Sequence, residues 1–144
     1  MKGKVLIIED DPVWIEQLSS HLEFAGFHVT VANSIESAIA KLTSEMFHFI
    51  TIDMNLNDRA DDPDQFEGWK VLETVNRLRI RDITPTMIIT GYGADYDNLR
   101  PEKKLQSVFF MEKGSYDRDR LINTALREVE LINLRFKDDH RNRL

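Results

Sequence analysis

Short runs of β-branched and other apolar residues alternate with longer stretches of helical period along nearly the whole chain, a rhythm few folds accept. Val5-Leu6-Ile7-Ile8 reads as a first strand, and Ile15, Leu18, Leu22 and Ala25 then mark one face of a helix. Gly26 is placed to end that helix, and residues 27–31 alternate as a second strand. Asn33 as N-cap, with Glu36 three residues on, predicts a second helix whose buried face carries Ile35, Ala38, Ile39 and Leu42. Residues 47–52 form an apolar run broken only by His48 and Thr51, as expected of a central strand covered on both faces.

That run stops at Asp53, and residues 55–68 (NLNDRADDPDQFEG) have no apolar period, so a loop is expected there. A third helix resumes near Glu67, with Trp69, Leu72, Val75 and Leu78 as its stripe. TMIIT (86–90) after Pro85 is the fourth strand, followed by a turn at Gly91-Tyr92-Gly93. Residues 94–105 predict a fourth helix, short or bent because Pro101 lies inside it. Residues 108–111 are the fifth strand, and Leu121, Ile122, Ala125, Leu126, Val129 and Ile132 mark a long last helix. Five strands alternating with helices give an α/β fold: a doubly wound five-stranded parallel sheet with helices on both faces.

A length of 144 residues holds one such domain and little else. We expect the folded domain over 1–132 and a charged helix extension or tail over 133–144. Nineteen Lys and Arg against twenty-five Asp and Glu give a net charge of −6, which disfavours the broad basic face that grips nucleic acid. Residues 135–144 are locally basic, which reads first as a solvated helix end. The sequence has no cysteine, in keeping with a reducing cytoplasm, and the N-terminus has only four consecutive apolar residues before an acidic pair. A signal peptide and membrane insertion are therefore not expected, and the expected location is cytoplasmic.

In open α/β sheets, ligands sit beyond the carboxyl ends of the strands. Here those ends carry Glu9-Asp10-Asp11, Asp53, Thr90 and Glu112-Lys113. Carboxylates converging in one crevice repel one another unless a cation or proton neutralises them, and oxygen-only ligands select a hard divalent ion, foremost Mg²⁺. A hydroxyl at Thr90 and a point charge at Lys113, with that ion, suit the oxygens of a phosphoryl group, and Asp53 suits the nucleophile of an acyl phosphate.

Four segments in order, VLIIEDDP, FITIDMNL, PTMIITGYG and FFMEKG, resemble the receiver domain of two-component response regulators, including the single-domain chemotaxis type. The resemblance runs from Lys4 to about Ile132 and implies a flavodoxin-like topology. It implies that Glu9 and Asp10 bind Mg²⁺ directly or through water, that Asp53 is phosphoacceptor and metal ligand, and that the carbonyl of Asn55 is a further ligand. Thr90 and Lys113 would contact the phosphoryl group, and Phe110 matches the aromatic position that moves when the Thr position engages phosphate. The implied partners are a sensor histidine kinase or histidine phosphotransfer protein, and a downstream protein or second copy. The latter would meet the face of the fourth predicted helix, fifth strand and last helix. Such a chain is a switch that catalyses only its own phosphorylation and dephosphorylation.

The sequence departs from the family pattern where Asn57 and Gly114 replace prolines, in the long acidic stretch Asp58, Asp61, Asp62, Asp64 and Glu67, and around Pro101. A cis bond before glycine would cost ~2.5–4 kcal/mol, so a trans bond is expected after Lys113, with the lysine less firmly positioned. Asp11 before Pro12 reads as a helix N-cap, Trp14 as a helix packing residue near the site rim, and Trp69 as core. The four histidines have no ligand spacing. The loop after Asp53 partly matches a calcium-binding EF-hand but lacks the glycine at its sixth position and the glutamate at its twelfth. A degenerate receiver acting only as a docking module is the first rival. A phosphatase of the haloacid dehalogenase type is the second, although its motif order differs: there an Asp acid/base follows the nucleophile by two residues, where Asn55 stands here. No glycine-rich nucleotide fingerprint follows the first strand.

Overall fold

The computed structural model describes residues 2–54, 56, 67–78, 80, 84–91 and 109–143, with side chains as far as residue 135. Five strands, β1 (Lys4–Ile8), β2 (His28–Ala32), β3 (Phe49–Ile52), β4 (Thr86–Thr90) and β5 (Phe109–Glu112), form one parallel sheet in the order β2-β1-β3-β4-β5. The described helices are α1 (Pro12–Phe24), α2 (Ile35–Ser44), α3 (Gly68–Arg77) and α4 (Arg118–Arg143). The fourth predicted helix (94–105), Asn55, Asn57, Pro101 and the acidic residues Asp58 to Asp64 lie outside the described residues.

Strand alternation divides the core between the two faces of the sheet. Leu6 and Ile8 of β1, Ile50 and Ile52 of β3 and Ile88 of β4 pack with Ala38 and Leu42 of α2 and Val71, Leu72 and Val75 of α3. Val5, Ile7, Phe49, Met87 and Ile89 point the other way, against Leu18 and Leu22 of α1 and Leu121, Ala125 and Val129 of α4. Burying each of the larger of these side chains, Val, Leu, Ile, Phe and Met, stabilises the fold by roughly 1.5–3 kcal/mol, so the apolar runs that named the strands also supply much of the driving force. Trp69 lies in the first core, as its place in the α3 stripe predicts.

Helix ends follow the capping chemistry with one correction. Asp11 caps α1 as expected: its Oδ1 accepts the Val13 N–H at 2.9 Å, and Pro12 opens the helix. Gly26 follows α1 with φ of 101°, a conformation that glycine adopts without steric penalty. The cap of α2, however, is Ser34 and not Asn33: Ser34 is extended, and its Oγ accepts the Ser37 N–H at 3.1 Å.

Strand edges shift for equally local reasons. The third strand starts at Phe49, not residue 47, because the Phe47 carbonyl accepts the Thr84 hydroxyl and the His48 ring accepts the Lys4 N–H at 2.9 Å. The second strand begins one residue later than expected, at His28, and runs to Ala32. The fifth ends one residue later, at Glu112, while Val108 is outside the described residues. The last helix is continuous from Arg118 to Arg143 and so crosses the expected boundary at residue 132 without a break.

Candidate functional site

Sheet register brings the polar strand ends to one place. Ile8 pairs with Ile52, so Glu9 and Asp53 leave neighbouring strands at the same level. Their backbones remain tied to the sheet, since Glu9 N–H donates to Ala32 O at 3.1 Å and Asp53 N–H to Ile8 O at 2.9 Å. Thr90 pairs with Glu112 at the ends of β4 and β5, and Lys113 follows immediately in a 3-10 turn (Lys113–Ser115).

Glu9, Asp10 and Asp53 each offer a carboxylate oxygen within 4.8 Å of the others; Glu9 and Asp53 are buried and Asp10 half-buried. Lys113 reaches into this group: its Nζ donates to Glu9 Oε1 at 3.0 Å and lies 3.5 Å from Asp53 Oδ2. Burial, reinforced by the charge of Asp53, pushes the Glu9 carboxyl up to about 8 against the counter-pull of Lys113. Burial pulls Lys113 down, but the charges of Asp53 and Glu9 outweigh it and hold its ammonium above the ordinary value. The carboxyl groups of Glu9, Asp10 and Asp53 form an all-oxygen donor set, and one of this size suits Mg²⁺.

Thr90 is fully buried at the end of β4, and its Oγ1 has no hydrogen-bond partner among the described residues. An unpartnered buried hydroxyl costs free energy and stands ready for an incoming acceptor. The structure therefore brings together Glu9, Asp10, Asp53, Thr90 and Lys113, five of the six residues singled out from the sequence; Asn55 is outside the described residues. The Lys113–Gly114 bond is trans. Phe110 packs against the α2/α3 core, and its carbonyl accepts Arg120 Nη2 at 2.8 Å.

Two features were missed in the sequence. Gly68 opens α3 against the segment that carries Asp53, with its N–H donating to Met54 O at 2.8 Å. A Cβ there would lie 2.5 Å from Met54 Cα and 3.0 Å from Asp53 O, so only glycine fits. Trp14, in the first turn of α1, does more than pack at the rim: Lys113 Nζ sits 5.1 Å from its ring centroid. The Tyr116 ring meets the same indole edge-on at 5.3 Å and bonds His21 Nδ1 through its hydroxyl at 2.7 Å. Burial pushes that hydroxyl up to about 12, and burial together with Arg118 lowers His21, so the bond joins two neutral groups at neutral pH. Only the position of Trp14 four residues after Asp10 hinted at this in the sequence.

A parallel sheet in this order, with an acidic cluster after β1 and β3, a hydroxyl ending β4 and a lysine after β5, defines a phosphoryl-accepting signalling module. A family model described as the response regulator receiver domain matches residues 5–125, and the chain belongs to that family. The receiver domain it forms is accordingly of the Mg²⁺-dependent phosphoacceptor kind. The chain is 32% identical over 89 residues to the acid tolerance regulatory protein ActR of Rhizobium meliloti (strain 1021), an overlap of 62% of this chain and 41% of ActR. Against the transcriptional regulatory protein FixJ of Bradyrhizobium diazoefficiens it is 29% identical over 133 residues, covering 90% of this chain and 59% of FixJ. The chain thus spans about half the length of these curated relatives. Among solved structures, a CheY-like receiver domain protein from Methanospirillum hungatei JF-1 superimposes with a TM-score of 0.70 at 20% identity, covering 92% of this chain and 97% of that one. A sensor protein from Polaromonas sp. JS666 gives 0.74 at 22% identity, covering 92% and 99%. These likenesses bear on the fold. Among the described residues, no helix is long and apolar enough to cross a membrane.

Proposed function

We propose that Asp53 accepts the phosphoryl group, that Glu9, Asp10 and Asp53 hold Mg²⁺ with the carbonyl of Asn55, and that Thr90 and Lys113 bind the phosphoryl oxygens. The observation that carries this reading is a cluster of three carboxylates, two of them in contact with one ammonium, at strand ends that also carry a buried hydroxyl with no partner among the described residues. An Asp53 oxygen attacks phosphorus in line, the N–P bond of a partner's phosphohistidine breaks, and its electron pair returns to the imidazole. Lys113 then exchanges a carboxylate for a phosphoryl oxygen, and the Thr90 hydroxyl gains the acceptor it lacks. A bound Mg²⁺ would supply charge neutralisation for the transferring oxygens. Water later cleaves the acyl phosphate, releasing inorganic phosphate and restoring the Asp53 carboxylate.

The donor in this reading is a sensor histidine kinase or histidine phosphotransfer protein. The output is a shift of a pre-existing equilibrium on the face that includes β5 and the last helix, where a downstream protein or second copy would bind. Residues 1–132 are the receiver unit and 133–144 its charged extension or tail. Incubation with acetyl phosphate and Mg²⁺ should give one hydroxylamine-labile phosphoryl group per chain, absent from Asp53→Asn and from chelator-treated protein. Labelling that survives in Asp53→Asn, or repeated turnover of a phosphomonoester, would overturn the assignment. Loss of labelling from the wild type with intact partner binding would favour a docking module.

A further inference from the structure

Lys113 has an unusual set of restraints. The residue after it is Gly114, where an added Cβ would meet nothing within 4 Å, so the backbone beyond the lysine is not packed on that side. Among the described residues its four-carbon side chain is held instead by three contacts: Glu9 Oε1 at 3.0 Å, Asp53 Oδ2 at 3.5 Å and the Trp14 ring at 5.1 Å. The first two are groups whose charge and partners change when a cation binds and when Asp53 is phosphorylated. Only the indole face is untouched by the chemistry.

We propose that Trp14 is a positioning residue for Lys113, its indole face keeping the ammonium at the site while Glu9 and Asp53 exchange partners. This rests on the phosphoacceptor reading of Asp53. The ring is itself clamped, because Lys113 and Tyr116 lie at the two ends of one short turn, with Tyr116 N–H donating to Lys113 O at 3.3 Å. One aromatic edge and one ammonium from that turn thus close on the same indole, and His21 of α1 fixes Tyr116 from below. A cation over an indole face is attracted by the ring quadrupole, most strongly when both are partly desolvated, as here.

The test combines a direct signature with a mutant cycle. In metal-free wild-type protein the Lys113 ε-methylene protons should resonate upfield of ordinary lysines through the ring current of Trp14, and return to normal in Trp14→Leu. An ordinary shift in the wild type overturns the contact without reference to phosphorylation or to the folding of any variant. Trp14→Leu should slow phosphorylation by acetyl phosphate about threefold to thirtyfold, and Trp14→Phe, which keeps a π face, should recover most of the loss. In a Lys113→Met background the same Trp14→Leu change should have no further effect. Equal losses for Leu and Phe, or an undiminished effect without Lys113, would overturn the proposal in favour of a general packing role. If wild type forms no Asp53-dependent acyl phosphate, the phosphoacceptor reading fails and the proposed positioning role falls with it, whereas a normal Trp14→Leu rate beside an active wild type removes the positioning role alone.

Discussion

Replacing Gly68 with alanine should damage stability and phosphorylation together. The new Cβ would lie 2.5 Å from Met54 Cα, 2.8 Å from Met54 O and 3.0 Å from Asp53 O, whereas ordinary contact begins at 3.4 Å. All three atoms are backbone, so no side-chain rotation relieves the overlap. The start of α3 and the Asp53-Met54 segment must separate by about 0.9 Å, the difference between the nearest contact and ordinary approach. Overpacking of this kind costs roughly 1–3 kcal/mol, against which alanine's helix preference returns at most about 1 kcal/mol. A net loss of about 1–2 kcal/mol lowers Tm by roughly 3–8 °C in a chain of this size. Should the strain move Asp53 and not the helix, a displacement near 1 Å slows phosphoryl transfer by up to ~10²-fold. Calorimetry and acetyl phosphate labelling read the two effects, with Gly91→Ala as the stability control because a Cβ there meets nothing within 4 Å. A Gly68→Ala protein that melts no lower than wild type and phosphorylates at the same rate would refute the close-packing argument.

Thr51 is buried in β3 with no partner for its hydroxyl among the described residues, beside Ile7 and Met87 in register, so Thr51→Val should raise the urea midpoint by the equivalent of about 1–2 kcal/mol. An unchanged or lower midpoint would mean that the hydroxyl is satisfied in solution. Glu9 titrates near 8 when folded against an ordinary 4.5, so between those values the folded metal-free protein binds more protons than the unfolded chain. Its stabilising contribution is complete below 4.5 and is lost as pH rises through about 8. In chelator, Tm should therefore decline across that range more steeply for wild type than for Glu9→Gln; parallel profiles would exclude Glu9 as the source.

The central strands β1, β3 and β4 were legible because each is a mainly apolar run that the sheet buries from both faces, β2 was legible through its alternation, and the site residues were legible because they end or follow such strands. Glu9, Asp53, Thr90 and Lys113 could thus be placed together from topology alone. Boundaries were less legible where a side chain competes for a backbone group. Thr84 takes the Phe47 carbonyl and Ser34 caps the helix one residue beyond Asn33, and neither choice is written in apolar periodicity. Gly68 and the Trp14 face depend on distances between segments far apart in the chain, which spacing does not encode. The expectation that Gly114 leaves Lys113 loosely held overlooked the contacts its side chain makes with Glu9, Asp53 and Trp14.

The shared level of Glu9 and Asp53 on β1 and β3 has a consequence for how such a site tolerates change. Neighbouring strands lie ~4.8 Å apart whatever side chains they carry, so the reach between these two carboxylates is inherited from the sheet's own repeat. Helix surfaces can drift widely without altering that span. A one-residue slip of β3 against β1 would instead turn Asp53 to the opposite face and Thr51 with it, losing charge placement and core packing at once. Folding fidelity and chemical competence are thus checked by the same event, the correct seating of one strand.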